Sequence, residues 1–226
     1  LVAALNGMGR YSEALTANQQ AIKFSPNDHQ SHSNLGALLL KLGRPNEAMA
    51  SCNRAISLES NFAQAHYNLA NSLKDLDKLN EAILSYTHAV NLNPNYFEAH
   101  YNLGNSLHDA DRLDEAEASY RQALAINPNF VLVYKNLGLL FTKRKQYDKA
   151  KEYYNKAILL DPDFVDAKFE LALLSIHESQ FSSGFELYET RYHPNTTDRQ
   201  AIPPKISTPQ YRGKDLGLDI RGKHLL

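Results

Sequence analysis

Four asparagines, Asn34, Asn68, Asn102 and Asn136, stand 34 residues apart, each followed by Leu and then by Gly or Ala. The stretches read HSNLGALL, HYNLANSL, HYNLGNSL and YKNLGLLF. A spacing held without insertion means that one supersecondary unit recurs, and each copy buries its apolar face against its neighbours. The chain is therefore a repeat array whose core runs as a strip between adjacent units.

Other columns keep the same step. Ser12, Asn46, Asn80, Asp114, Asp148 and Ser182 are of types that accept a backbone N–H at a helix start, so they are expected as N-caps. Ala14, Ala48, Ala82, Ala116 and Ala150 follow two residues later, with Gly184 in the last unit. Ala21, Ala55, Ala89, Ala123 and Ala157 form a further small column, and Pro26, Ser60, Pro94, Pro128 and Pro162 close each unit. Proline cannot continue a helix interior, so these positions separate one unit from the next. Between the stops lie two apolar-periodic runs of about 14 residues, each about 21 Å long as a helix. They read as an antiparallel pair, one presenting His66, Leu69, Ala70 and Leu73, the other Ala82, Tyr86 and Ala89.

Composition narrows the partners. The net charge is −1 with acids and bases interspersed, which offers neither a basic field for nucleic acid nor a polybasic membrane patch. No apolar run approaches the roughly 18 residues of a membrane span, and no signal-peptide series opens the chain. One cysteine excludes an internal disulfide framework and suits a reducing, cytoplasmic setting. Leu1 opens within a helical pattern, so sequence upstream is expected.

The joint pattern of small, large, small and proline columns resembles the tetratricopeptide repeat over residues 1 to about 192. His32, His66 and His100 depart from the aromatic common at their column, which Tyr134 restores. The resemblance implies an all-α fold, a right-handed superhelical solenoid of antiparallel helix pairs whose first helices line a concave groove. It implies a truncated repeat over 1–28, four full repeats over 29–162 and a degenerate capping pair over 163–193, with a mostly irregular connector over 194–226. It supplies a binding surface and no reaction.

Beside the asparagines the groove columns read Ser33, Tyr67, Tyr101 and Lys135, then Ala37, Asn71, Asn105 and Leu139, with Asp75 and Asp109 one turn further. Asparagine lies roughly 0.5–0.7 kcal/mol below alanine in a helix interior, so four at one column need an offsetting use. One reading is a rail: a carboxamide sets a donor beside an acceptor, matching an extended peptide backbone. The other is that each Asn bonds the neighbouring helix. A family variant that grips a C-terminal carboxylate uses Lys and Arg near the Asn; the positions here hold Gln30, Gln64, Glu98 and Leu132, which argues against that clamp.

No catalytic, metal or cofactor site emerges. His32, His66 and His100 form a column, but neighbouring equivalent helices lie at least about 8–10 Å apart, too far for one zinc. They read as packing residues, as does Cys52 in the column of Tyr86, Tyr120 and Tyr154. Residues 217–223 approach a phosphate loop, yet His224 replaces the magnesium-binding Ser or Thr. The sequon at Asn195 reads as chance.

From Gly184 onward the sequence is similar to the junction of bacterial tetratricopeptide proteins with glycosyltransferase-like domains. The matching residues are Gly184, Glu186-Leu187-Tyr188-Glu189, Arg191, Tyr192, Pro209, Tyr211, Gly213 and Gly222-Lys223-His224-Leu225-Leu226, with Tyr192 and Tyr211 in place of tryptophans. The resemblance implies a nucleotide-sugar-binding domain beyond Leu226 and an array that positions the acceptor protein, as in O-linked N-acetylglucosamine transferases. Two expectations stand: a non-catalytic module capturing an extended protein or peptide, and a free-standing scaffold that self-associates into homo-oligomers.

Overall fold

The computed structural model describes residues 1–178 and Gly184. Among them are eleven α-helices and no strand: α1 Val2–Gly7, α2 Tyr11–Phe24, α3 His29–Lys41, α4 Pro45–Leu58, α5 Ala63–Asp75, α6 Leu79–Leu92, α7 Phe97–Asp109, α8 Leu113–Ile126, α9 Val131–Lys143, α10 Tyr147–Leu160 and α11 Val165–His177. The chain divides into two units, residues 1–133 and 134–226, with the boundary inside α9.

In the first unit, three-residue links join α1 to α2, α3 to α4, α5 to α6 and α7 to α8, and four-residue links join one pair to the next. Such short links leave only antiparallel neighbours. The short link is a Schellman turn: Gly43 N–H donates to the Leu40 carbonyl at 3.0 Å and Arg44 N–H to the Leu39 carbonyl at 2.9 Å. The same two bonds recur at Asp77 with Lys78 and at Asp111 with Arg112. The turn demands a left-handed residue, and Gly43, Asp77 and Asp111 hold φ of 68°, 58° and 61°.

That turn corrects the expected caps. The second helices begin at Tyr11, Pro45, Leu79 and Leu113, and in the second unit at Tyr147. Ser12, Asn46, Asn80, Asp114 and Asp148 thus occupy the second helical position. The N-caps are Arg10, Arg44, Lys78, Arg112 and Gln146, and none makes a side-chain capping bond. The last residue of the Schellman turn is already the N-cap, so the link length fixes the start and overrides side-chain preference. At three of these starts the guanidinium reaches a Glu three residues on, Arg10 to Glu13 at 2.5 Å and Arg44 to Glu47 and Arg112 to Glu115 at 2.6 Å.

The core is columnar, as the sequence indicates. Ala14, Ala48, Ala82 and Ala116 are fully buried, as are Ala55, Ala89 and Ala123. Such small residues let backbones approach closely while Tyr86 and Tyr120, 0% and 1% exposed, fill the space beside them. A Cβ on Gly104 would stand 2.6 Å from Tyr120 Cδ1, so the ring occupies what the glycine leaves open. The histidine column also finds its use. Nε2 of His32, His66 and His100 meets the carbonyl of Pro26, Ser60 and Pro94 at 2.8, 2.9 and 2.9 Å, pinning each inter-repeat link to the helix after it.

In the second unit Ala150, Tyr154 and Ala157 continue the columns, fully buried. Lys145, at φ 58°, takes the left-handed position. Lys135 pairs with Asp166 at 3.2 Å, and Lys151 pairs with Glu178. Gly184 is buried and helical, and a Cβ there would meet Ile176 Cγ1 at 2.6 Å, which accounts for glycine in an otherwise alanine column. The Ser182 cap, the rest of the second helix expected in 163–193, the connector over 194–226, the phosphate-loop near-match, the sequon and the junction motif after Gly184 all lie outside the described residues.

Candidate functional site

The groove columns fall on the first helices of the pairs, and in the first unit these are α3, α5 and α7. Positions four and eight apart share one helical face. On α5 that face presents Tyr67, Asn71 and Asp75, and on α7 it presents Tyr101, Asn105 and Asp109. On α3 the same positions hold Ser33, Ala37 and Lys41. Two adjacent first helices therefore carry the same tyrosine, carboxamide and carboxylate, and the helix before them does not.

The asparagine column is not uniform. Asn34 is exposed. Asn68 is 4% exposed; its Nδ2 donates to both the carbonyl and the hydroxyl of Ser33 at 3.1 Å, and its Oδ1 accepts from Gln64 Nε2 at 3.1 Å. That carboxamide joins α5 to α3 and has no group left over. Asn102 is half-buried and donates to the Tyr67 hydroxyl at 3.1 Å and to Asn71 Oδ1 at 3.4 Å, while its own oxygen accepts no bond within the described residues. Asn136 is half-buried and belongs to the second unit.

The second carboxamide column is anchored from beneath. Tyr86 Oη donates to Asn71 Oδ1 at 2.5 Å and Tyr120 Oη to Asn105 Oδ1 at 2.8 Å. The buried tyrosines that fill the core thus also orient the groove amides. Burial pushes the Tyr67, Tyr86 and Tyr96 hydroxyls above their usual range, and for Tyr86 the neighbouring Tyr67 and Asp75 add to it. These hydroxyls stay protonated, and therefore donors, at any physiological pH.

A row of rings lies near the start of the same helices, with Phe130 added from the link before α9. Tyr96 packs 4.9 Å from Tyr67, centroid to centroid, and donates from its hydroxyl to Gln64 Oε1 at 2.7 Å. Phe130 meets Phe97 at 4.7 Å and Tyr101 at 5.3 Å, both edge-on. All five rings are half-buried. Sequence reasoning singled out Tyr67 and Tyr101 but missed Tyr96, Phe97 and Phe130. The signal was the column Phe62, Tyr96, Phe130 and Phe164, aromatic at every step after Asp28. Gln64, weighed only as the missing cation of a tail clamp, turns out to connect Tyr96 to Asn68.

Asp75 and Asp109 are exposed, and neither meets a Lys or Arg within ion-pair distance among the described residues; His108 Nδ1 lies 3.9 Å from Asp109. Cys52 is buried against Gly36 and burial pushes its thiol up to about 12, which makes it an inert packing group.

Stacked two-helix repeats of 34 residues with this column chemistry define a helical-repeat interaction module. The tetratricopeptide repeat model matches residues 29–62, 97–130 and 131–164, and a second tetratricopeptide model matches 4–43 and 70–111. Together they cover well over half of the chain, which belongs to the tetratricopeptide repeat family. No curated protein matches it. Among solved structures, pilF of Pseudomonas aeruginosa aligns with a TM-score of 0.74 at 18% identity, over 86% of this chain and 90% of that one. TTC0263, a tetratricopeptide protein of Thermus thermophilus, aligns at 26% identity and a TM-score of 0.61, over 78% and 96%. YrrB, described as a tetratricopeptide protein with an unusual peptide-binding site, aligns at 20% identity and a TM-score of 0.67, over 77% and 90%. The all-α solenoid expected from the sequence is the fold that these structures share with the chain. Among the described residues no helix is long and apolar enough to cross a membrane.

Proposed function

We propose that the chain is a non-catalytic interaction module that takes an extended protein or peptide segment across the face of α5 and α7. The observation that carries this reading is the pair of matched faces, Tyr67-Asn71-Asp75 and Tyr101-Asn105-Asp109, with the amides held in place by Tyr86 and Tyr120. Asn102 contributes its oxygen as an acceptor; Asn34 and Asn136 continue the column in sequence, while Asn68 fastens two repeats together. The peptide-binding site named for YrrB shows the same fold in that use.

The test is to select peptides from a random displayed library on the purified chain and map the binding by amide hydrogen exchange. Protection concentrated on α5 and α7 is expected. Protection confined to α4, α6 and α8, or a library that yields no binder, overturns the reading.

In its finer form the proposal makes the array the substrate-recruiting arm of a larger glycosyltransferase. Its support is the run of motifs from Gly184 to Leu226 alone. Reading the source gene past Leu226 tests it: alternating strands and helices are expected, and an immediate stop codon removes the transferase and leaves the interaction module.

A further inference from the structure

We propose that the segment bound by α5 and α7 is a basic peptide in polyproline II conformation, with Lys or Arg at every third position. The inference rests on the groove reading above and adds the chemistry of the partner.

Charge comes first. Asp75 and Asp109 occupy one column on adjacent first helices, are exposed, and pair with no Lys or Arg among the described residues. The column reverses sign on either side in sequence, Lys41 on α3 and Lys143 on α9. An exposed acid pair on α5 and α7 fits two cations. It disfavours a segment carrying carboxylates, because like charges brought together raise the free energy of the complex.

Spacing selects the conformation. Equivalent positions on neighbouring packed helices recur at about 8–10 Å. A polyproline II chain returns to the same face every third residue, about 9.3 Å along its axis, whereas a β-strand returns every second residue, at about 6.8 Å. Cations three apart in polyproline II therefore match carboxylates on successive first helices, at least that far apart, better than cations two apart in a strand.

The rings supply the remaining surface. Tyr67, Tyr96, Phe97, Tyr101 and Phe130 form a half-buried aromatic shelf along the starts of the same helices. Prolines and the methylene stems of Lys or Arg pack on such rings, and a preformed polyproline helix loses little conformational freedom in doing so. The carboxamides of Asn71 and Asn105 stand between shelf and carboxylates, where a peptide backbone passes.

The probe is a fluorescein-labelled peptide of four Lys-Pro-Ala units, titrated into the intact chain by fluorescence anisotropy. One comparator has Glu in place of Lys, and another has the same composition with the four lysines in one block. The repeating lysine peptide should bind tightest. Asp75→Asn with Asp109→Asn, two exposed isosteric changes that leave the fold intact by circular dichroism, should weaken it about tenfold. The difference should shrink as salt rises. Equal binding of the blocked-lysine peptide, or no response to the double change, overturns the inference. Library peptides that protect α5 and α7 yet ignore the double change would remove this inference and leave the groove reading standing; absence of protection there removes both.

Discussion

The repeats over residues 29–62 and 97–130 are matched by the same family model and have the same helix lengths, yet they are filled differently. In α7–α8 the Tyr120 ring lies over Gly104 and its hydroxyl reaches Asn105 at 2.8 Å. In α3–α4 Cys52 stands where Tyr120 does, over Gly36, and Ala37 stands where Asn105 does. The earlier repeat keeps the packing and lacks both the hydroxyl and the amide it would hold. The lesson is that the buried tyrosine is a two-purpose residue: its ring fills the core and its oxygen holds the Asn105 amide, so a repeat with Ala37 in place of that amide accommodates a smaller core residue.

The largest predicted contrast follows directly. Tyr120→Ala should cost about 3–5 kcal/mol, because a fully buried ring leaves a cavity and its hydroxyl's bond to Asn105 is lost. Cys52→Ala should cost only about 1–2 kcal/mol, the loss of one buried sulfur. Urea denaturation of the two variants checks this; similar midpoints would show that the two repeats are supported alike and break the comparison.

A Cβ probes the same asymmetry from the opposite helix. Gly104→Ala sets a methyl 2.6 Å from the Tyr120 ring, which is 1% exposed, so about 1–3 kcal/mol of overpacking is expected. Gly36→Ala crowds Cys52 Sγ and sets the methyl 3.3 Å from the Ala48 carbonyl oxygen; a thiol has fewer atoms to displace than a phenol ring, so its loss should be the smaller of the two. Thermal unfolding of the pair decides it, and an equal loss would mean that the backbone, not the facing side chain, limits both sites.

Columns carried most of this into the sequence. Ala48, Ala82 and Ala116 read as buried because a constant 34-residue step leaves a buried position no freedom, and each proved fully buried. Helix starts were misjudged because Asn46 and Asp114 have capping chemistry, while the Schellman turn before them sets the N-cap two residues earlier, at Arg44 and Arg112. The site was half legible. Tyr67, Asn71 and Asp75 announced themselves by spacing, but the fate of Asn68 depends on Ser33 and Gln64, the one 35 residues away and the other a neighbour on the same helix, and no periodicity separates it from Asn102. Polar partnerships across repeats are set by individual side chains, and identical column letters hide them.

The turns sharpen the comparison at a smaller scale. Gly43 in the earlier repeat and Asp111 in the later one adopt nearly the same left-handed φ, 68° and 61°. A residue with a Cβ is sterically disfavoured in that conformation, less so for Asp than for most. Gly43→Asp should therefore destabilise by about 0.5–1 kcal/mol, and Asp111→Gly should relieve a similar strain while also removing the contacts of the Asp side chain. Calorimetry on both swaps tests whether the links are equivalent; a destabilising Asp111→Gly would show that the Asp side chain holds the later turn in some other way.

The subtlest difference lies where the first helices begin. At α3 the N-cap Asp28 accepts from Ser31 N–H at 3.0 Å and from Ser31 Oγ at 2.5 Å, whereas the N-cap of α7, Tyr96, makes no side-chain capping bond and packs on Tyr67 instead. The Ser31 hydroxyl, followed by the backbone N–H groups, holds the Asp28 carboxyl below its usual range. A carboxyl whose pKa falls on folding stabilises the fold above its unfolded value near 4, and that contribution disappears as pH drops through the lower folded value. Asp28→Ala should thus cost about 1 kcal/mol at pH 7, and progressively less once the pH falls below about 4. Tyr96→Phe keeps the ring and should show no pH dependence in that range, since a phenol stays protonated throughout. Urea midpoints of both variants against wild type at pH 7 and pH 3.5 measure the split, and a pH-independent deficit for Asp28→Ala would mean that α3, like α7, is anchored by packing and not by its charged cap.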